Sequence, residues 1–218
     1  MTDLRLSSPA AARNRDPILA ALRRVLPARG LLLEVASGSG EHALHIARAL
    51  PGLTVQPTDP DPAARGSIDA WGQSAGLPNL CSALALDATA AEWPLDRADA
   101  VLCVNMVHIA PWGAALGLLR GAARLLPPGA PLVLYGPYRR GGAHTAPSNA
   151  EFDAALRAKH PDWGVRDLEA VADAASAEGL RLDSLAELPA NNLLLCFRRE
   201  AGAAARRFSV REREAPGG

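Results

Sequence analysis

A chain of 218 residues with 49% hydrophobic content is long enough for one domain with a substantial core. Its formal net charge is zero and its pI is near 7.0, so it lacks the basic excess that free-standing binders of nucleic acid or acidic membranes carry. Cys81, Cys103 and Cys196 lie far apart in apolar strand-like runs and read as small buried hydrophobes in a reducing compartment, with no CxxC or Cys/His cluster to suggest a metal site.

The N-terminus shows no charged-then-apolar signal and no apolar run reaches membrane-spanning length, so a soluble, cytoplasmic protein without a membrane partner is expected. Residues 1–12 lack periodicity and read as a flexible N-terminus. Arg13-Asn14-Arg15 then stands at a helix entrance, as capping and solvated charge or as part of a cover over a ligand. Asp16-Pro17 signals a helix start, with Ile18, Leu19, Leu22, Val25 and Leu26 on one face.

Leu31 to Val35 is a nearly continuous apolar run of strand length, as expected for a parallel strand buried on both faces. The turn Ala36-Ser37-Gly38-Ser39-Gly40 follows, and then a helical run from Glu41 to Leu50. Small side chains let a ligand approach the backbone, the glycines can take positive φ, and free N–H groups at the helix start lend partial positive charge. The dinucleotide pattern G-x-G-x-x-G is only half present, because Ala43 stands at the third glycine position. Glu34, an acid inside an apolar strand, is not needed for packing. A strand-borne Glu before a Gly-x-Gly turn resembles motif I of the class I S-adenosylmethionine-dependent methyltransferases, where the acid helps organise the turn around the cofactor's methionine part.

Leu53 to Pro57 reads as a second strand. Asp59 and Asp61 beyond it lie near the spacing of about 20 residues at which an acid bonds ribose hydroxyls. Either serves; Asp59 is nearer the strand, and Asp61 is also placed to cap the helix from Pro62 to Ser74. Leu80 to Leu86 is the expected third strand, with Asp87-Ala88-Thr89 at its end; the resemblance to class I methyltransferases implies that an acid there faces the adenine amine, and a helix cap is the alternative. Trp93 either shields this rim or packs beneath it.

Ala98 to Asn105 is the fourth strand. It ends in Asn105-Met106-Val107-His108-Ile109-Ala110-Pro111-Trp112, a mixed segment where open parallel sheets place ligands. A helix from Trp112 to Leu126 and a fifth strand from Pro131 to Tyr135 follow. The exit Gly136 to Gly142 carries Tyr138, Arg139 and Arg140 in a loop. Helices follow Pro147-Ser148-Asn149 and Asp167, and Leu180–Leu188 and Asn192–Arg198 form closing strands joined at Pro189-Ala190-Asn191. The sum is an α/β chain: a single-domain, doubly wound, mostly parallel seven-stranded sheet with a C-terminal antiparallel hairpin over residues 13–199, then a disordered tail over 200–218.

The chain is similar to the methyltransferase-like 26 family, an uncharacterised group of class I methyltransferases. The matches run in order: Arg13-Asn14-Arg15, Glu34 to His42, Asn105 to Trp112, Leu134 to Tyr138, Pro147-Ser148-Asn149, Trp163 to Asp167 and Pro189 to Asn192. Ser39 stands where that family often has Thr, and Ala110 where it often has Ser. The resemblance implies a Rossmann-like fold and an S-adenosyl-L-methionine site, with S-adenosyl-L-homocysteine as product and no settled substrate. The candidate cofactor set is Asn14, Glu34, Ala36, Ser37, Gly38, Ser39, Gly40, His42, Asp59, Asp87, Ala88, Asn105 and Met106. His45, one turn beyond His42, reads as packing.

Methyl transfer from a sulfonium is an in-line displacement in which positioning supplies much of the acceleration, and a base is needed only for an acceptor that begins protonated. His108 is the candidate base, with a role in backbone bonding or cofactor orientation as the alternative; Asn105 is the second candidate. Asn105 lacks the Pro-Pro-aromatic continuation of enzymes that methylate adenine or glutamine amides. Arg13, His108, Trp112, Tyr138, Asn149 and Arg166 form the candidate substrate set, and the arginines would suit a carboxylate or phosphate. A small-molecule acceptor is expected. A non-catalytic binding module on the same fold and an NAD(P)-dependent oxidoreductase are the competing classes.

Overall fold

The structure, a computed structural model, describes residues 3–202; the expected tail lies outside the described residues from 203 onward. All but one of the predicted apolar runs form strands of a single sheet. Strands β1 (Gly30–Val35), β2 (Leu53–Thr58), β3 (Ala100–Val104) and β4 (Pro131–Gly136) are parallel to their neighbours, and the hairpin β8 (Leu180–Leu188) and β9 (Asn192–Arg199) adds antiparallel to β4. The order is β2-β1-β3-β4-β9-β8. The chain leaves β1 in one direction and β3 in the other, so the crevice rule for open α/β sheets points to the carboxyl ends of β1 and β3.

Helices cover both faces, which is why the central strands are apolar on both sides. On one face α1 (Pro9–Val25) and α2 (Glu41–Ala49) bury Ile18, Leu22, Ala43 and Ile46 against Leu32, Val55, Leu102 and Tyr135. On the other, α4 (Trp112–Leu125) and α6 (Leu168–Ala177) bury Leu118, Leu119, Val171 and Ala175 against Leu33, Val101, Leu132 and Phe197. Helix α3 (Pro62–Ala75) lies beside α2, and α5 (Pro147–Lys159) follows the loop region after β4. No helix among the described residues is long and apolar enough to cross a membrane.

Three expectations need correction. The sheet has six strands rather than seven, because residues 80–86 make only isolated bridges to β2, Val55 with Leu80 and Thr58 with Leu84. Pro57 is the cause: it has no N–H to give a neighbour, and the Gln56 side-chain amide donates to the Ser82 carbonyl instead at 2.8 Å. The second correction is a small sheet after β4, of β5 (Tyr138–Arg140), β6 (Ala143–His144) and β7 (Arg166–Asp167), where only a loop was expected.

The third concerns the first helix, which begins at Pro9 rather than near Pro17. Ser8 caps it, its hydroxyl accepting from the Ala11 amide at 3.3 Å, and the alanines that follow are strong helix formers. Pro17 sits inside the helix and removes one donor without ending it. Residues before the cap lie along α3: the Leu6 amide donates to the Ser67 hydroxyl at 2.8 Å, and the Trp71 indole donates to the Leu6 carbonyl at 2.9 Å.

Candidate functional site

The turn after β1 is tied by hydrogen bonds to the backbone carbonyl of a buried acid. The Thr58 hydroxyl donates to the Glu34 carbonyl at 2.8 Å; Ser37 donates to the same carbonyl and accepts from the Thr58 amide. Glu34 is 1% exposed, and its Oε2 has no hydrogen-bond partner. Burial pushes its carboxyl up to about 7, the Asp59 charge adding to the rise while a Ser37 hydrogen bond opposes it. An unpartnered buried carboxyl oxygen is a costly feature that packing does not explain.

Ala36, Gly38 and Gly40 all take positive φ, at 57°, 57° and 88°. The two glycines serve different ends. A Cβ on Gly38 would meet nothing within 4 Å, so the turn leaves open space in front of its backbone. A Cβ on Gly40 would lie 2.9 Å from the Ile68 Cα, so that glycine lets α2 pack closely on α3.

Of the two acids after β2, Asp61 caps α3, accepting from the Ala63 amide at 2.9 Å. Asp59 faces the turn instead. Its Oδ2 accepts from the Gly38 amide at 2.9 Å and its Oδ1 from the Asp61 amide at 3.0 Å, while Arg65 ties the Asp59 and Pro60 carbonyls. Ser39 donates to Glu41, which also accepts from the Ser8 amide. His42 is buried in the first turn of α2, where burial pulls its imidazole down to about 4. His45 pairs with Asp16 at 2.9 Å. Asp87 is exposed and caps no helix: its Oδ1 accepts from the Thr89 amide and hydroxyl at 2.8 and 2.7 Å in a local turn. Ala88 and Met106 are buried, and Trp93 packs beneath the rim against Gly121.

A cavity of about 620 Å³ opens at the carboxyl ends of β3 and β4, within the range of small-molecule sites. Helix α1 contributes Arg13 and Asn14, the strand ends contribute Asn105 and Tyr135, α5 contributes Ser148, Asn149 and Phe152, and the β8–β9 turn contributes Pro189 and Asn192. Asn105 holds positive φ, 63°. Because β3 pairs with β1, placing Cys103 beside Val35, cavity and glycine turn share one edge of the sheet.

The cavity gathers Arg13, Asn14, Asn105 and Asn149 from the sequence candidates and leaves out four of the six substrate candidates, His108, Trp112, Tyr138 and Arg166. His108 is 0% exposed, its ring edge-on to Tyr138 at 4.9 Å and 77° and pressed against Gly136. Burial, with the Arg166 charge second, pulls the imidazole down to about 3. A base must reach its substrate, and this one does not reach the cavity. Tyr138 is also fully buried, and burial pushes its phenol well up. Arg166 is bound to the loop after β3: Nε donates to the Val107 carbonyl at 3.0 Å, and Nη2 to the carbonyls of Ala110 and Asp162 at 2.7 and 2.8 Å. Its guanidinium stands 5.7 Å from the Trp112 ring centre, so Trp112 also serves that loop. Arg139 and Arg140 pair with Asp167 and Glu187.

Sequence reasoning missed Tyr135, Ile109 and Phe152 as lining residues. Ile109 and Phe152 are 44% and 42% exposed; Ile109 lies within the mixed segment Asn105 to Trp112, and Phe152 follows Pro147-Ser148-Asn149. Tyr135 is the last bulky residue of β4 before Gly136, at the strand end facing the crevice.

Residues 5–199 match the family described as "Protein of unknown function (DUF938)". The chain belongs to that family. This DUF938 member also matches solved methyltransferase structures. An O-methyltransferase family protein from Burkholderia thailandensis is 20% identical with a TM-score of 0.76, covering 88% of this chain and 58% of its own. The mitomycin 7-O-methyltransferase MmcR is 19% identical with a TM-score of 0.75, covering 87% and 54%. Human N-acetylserotonin methyltransferase in complex with SAM is 15% identical with a TM-score of 0.72, covering 88% and 53%. The chain thus spans little more than half the length of these proteins. At such identities the likeness establishes the fold: a mostly parallel α/β sheet of the class I methyltransferase kind.

Proposed function

We propose that this protein is an S-adenosyl-L-methionine-dependent methyltransferase of the methyltransferase-like 26 group, acting on a small-molecule acceptor. The observation that carries the reading is the pairing of open space in front of Gly38 with the Asp59 carboxylate held against the Gly38 amide. A cofactor there would meet the half-buried Gly38 backbone and the rim of a fixed, largely buried carboxylate whose chemistry suits ribose hydroxyls, and the unpartnered Glu34 Oε2 lies in the strand that leads into the same turn. Ser37, Ser39, Gly40, His42, Asp87, Ala88 and Met106 complete the surroundings.

When bound, the cofactor supplies an electrophilic methyl group on sulfonium sulfur. The chain's own part is to position the acceptor and exclude water, and Asn105, which lines the cavity at the end of β3, is the candidate for positioning. The neutral net charge and the size of the cavity favour a small molecule over nucleic acid or a membrane surface.

Burial of His108 favours one second reading, a cofactor-binding module without turnover. Thermal shift with S-adenosylmethionine, its demethylated product and NAD in parallel tests cofactor choice. The first two should raise the melting temperature and NAD should not, and Asp59→Ala should abolish the shift. A shift with NAD alone would move the reading to an oxidoreductase. Turnover in an acceptor screen separates the enzyme from the module.

A further inference from the structure

We propose that the acceptor is a small organic anion whose nucleophilic atom is already deprotonated when it binds, held through Arg13; this rests on the methyltransferase reading. Among the described residues Arg13 is the one charged side chain lining the cavity, and that side chain makes neither an ion pair nor a hydrogen bond with any described residue. The remaining polar lining is neutral: Ser8, Asn14, Asn105, Ser148, Asn149 and Asn192. The Asn14 Oδ1 is buried without a hydrogen-bond partner, on a residue that lines the cavity. Ile109, Phe152, Tyr135 and the prolines give flat apolar walls suited to a ring.

The charge pattern decides the acceptor's protonation state. No Asp, Glu, His or Lys lines the cavity from α1, from the segment after β3, from α5 or from the β8–β9 turn, among the described residues. Tyr135, at the end of β4, is the other titratable lining group. Burial pushes its phenol upward, only partly offset by the Asn14 amide, which makes it a poor base at neutral pH. His108 is closed off behind Gly136. An amine held as ammonium, or an ordinary alcohol, would therefore meet no group to take its proton.

An acidic phenol or thiol needs none. As the anion it attacks with its own lone pair: the bond to the methyl carbon forms as the carbon–sulfur bond breaks, and that electron pair stays on sulfur. The anion and the sulfonium become two neutral products and no proton changes hands. Arg13 contributes by attracting the anion and favouring the ionised form.

The test is calorimetric titration of the full chain, with and without S-adenosylhomocysteine, using 4-nitrophenolate, 4-nitrobenzyl alcohol and benzylamine as probes. The phenolate should bind roughly tenfold more tightly than the other two, the scale of one charge-assisted contact. Arg13→Gln should erase that preference and Arg13→Lys keep most of it. In the loaded enzyme, the onset of methylation across substituted phenols should follow each phenol's own pKa. Equal or tighter binding of the alcohol or amine, no binding of any probe, or one onset shared by all phenols would overturn the proposal. Arg13-dependent phenolate binding without any heat from S-adenosylhomocysteine would uphold the anion site and sink the methyltransferase reading instead.

Discussion

The Asp59 carboxylate accepts a hydrogen bond from the Gly38 amide at 2.9 Å, fastening the end of β2 to the turn that leaves β1. Its other oxygen holds the Asp61 amide, so the carboxylate is fixed before any ligand arrives. Removing it leaves two amides without their anionic partner. Asp59→Ala should lower stability by about 2 kcal/mol, in line with hydrogen bonds to a charged group, and abolish binding of S-adenosylhomocysteine. Asp59→Asn keeps one acceptor oxygen and should fall between. Urea unfolding with calorimetry on both variants checks this; full cofactor affinity in Asp59→Ala would remove Asp59 from the site.

The two glycines of the turn should separate cleanly. Gly38→Ala meets open space and should cost only the left-handed strain of about 1–2 kcal/mol while losing cofactor affinity. Gly40→Ala adds a clash with the Ile68 backbone to the same strain, so its loss should exceed 2 kcal/mol or so and appear without any ligand. Paired denaturation and binding curves distinguish the two. Equal destabilisation would mean that the space before Gly38 closes in solution.

Glu34 should leave a mark on the pH profile. Its carboxyl moves from an ordinary 4.5 to about 7 in the folded chain, so the folded state binds that proton more tightly than the unfolded state. Stability from this group is full below pH 4.5, declines as pH rises to about 7 and is level beyond, a total of about 3 kcal/mol at roughly 1.4 kcal/mol per unit. His42 and His108 act oppositely: pulled down from 6.5 to about 4 and about 3, they lose stability as pH falls through those windows. Subtracting the Glu34→Gln profile from that of the native chain isolates the Glu34 slope. A difference that rises with pH, or none, would contradict its burial.

Arg166 should behave as a loop fastener. Arg166→Ala frees the carbonyls of Val107, Ala110 and Asp162 and should cost about 2 kcal/mol. Hydrogen exchange should rise in residues 106–112 first. Weakened acceptor binding with unchanged stability and exchange would return Arg166 to the ligand-binding side.

What the sequence made legible was what local pattern controls. Leu31–Val35, the small-residue turn and the helix from Glu41 form as the apolar run and glycines require, and Asp59 stands where the spacing put it. The β8–β9 turn is as tight as its residues suggested, with Ala190 and Asn191 both at positive φ. The strand expected at residues 80–86 failed on one missing donor, at Pro57 in the neighbouring strand, which no pattern within 80–86 reveals. β5 and β7 are too short to carry a period. The fates of His108 and Arg166 depend on contacts with Gly136, Tyr138 and the Val107 carbonyl, distant in sequence and decided only by packing. A histidine just past a strand end looks like a base until its burial is known.

The central claim is that the turn from Glu34 to Gly40, closed by Asp59, binds the methyl-donor cofactor. Titration of the native chain with S-adenosylhomocysteine in a calorimeter tests it most directly. One molecule should bind per chain, with the heat lost in both Gly38→Ala and Asp59→Ala while each variant remains folded. A folded native chain that gives no heat, or that binds NAD in its place, would contradict the claim.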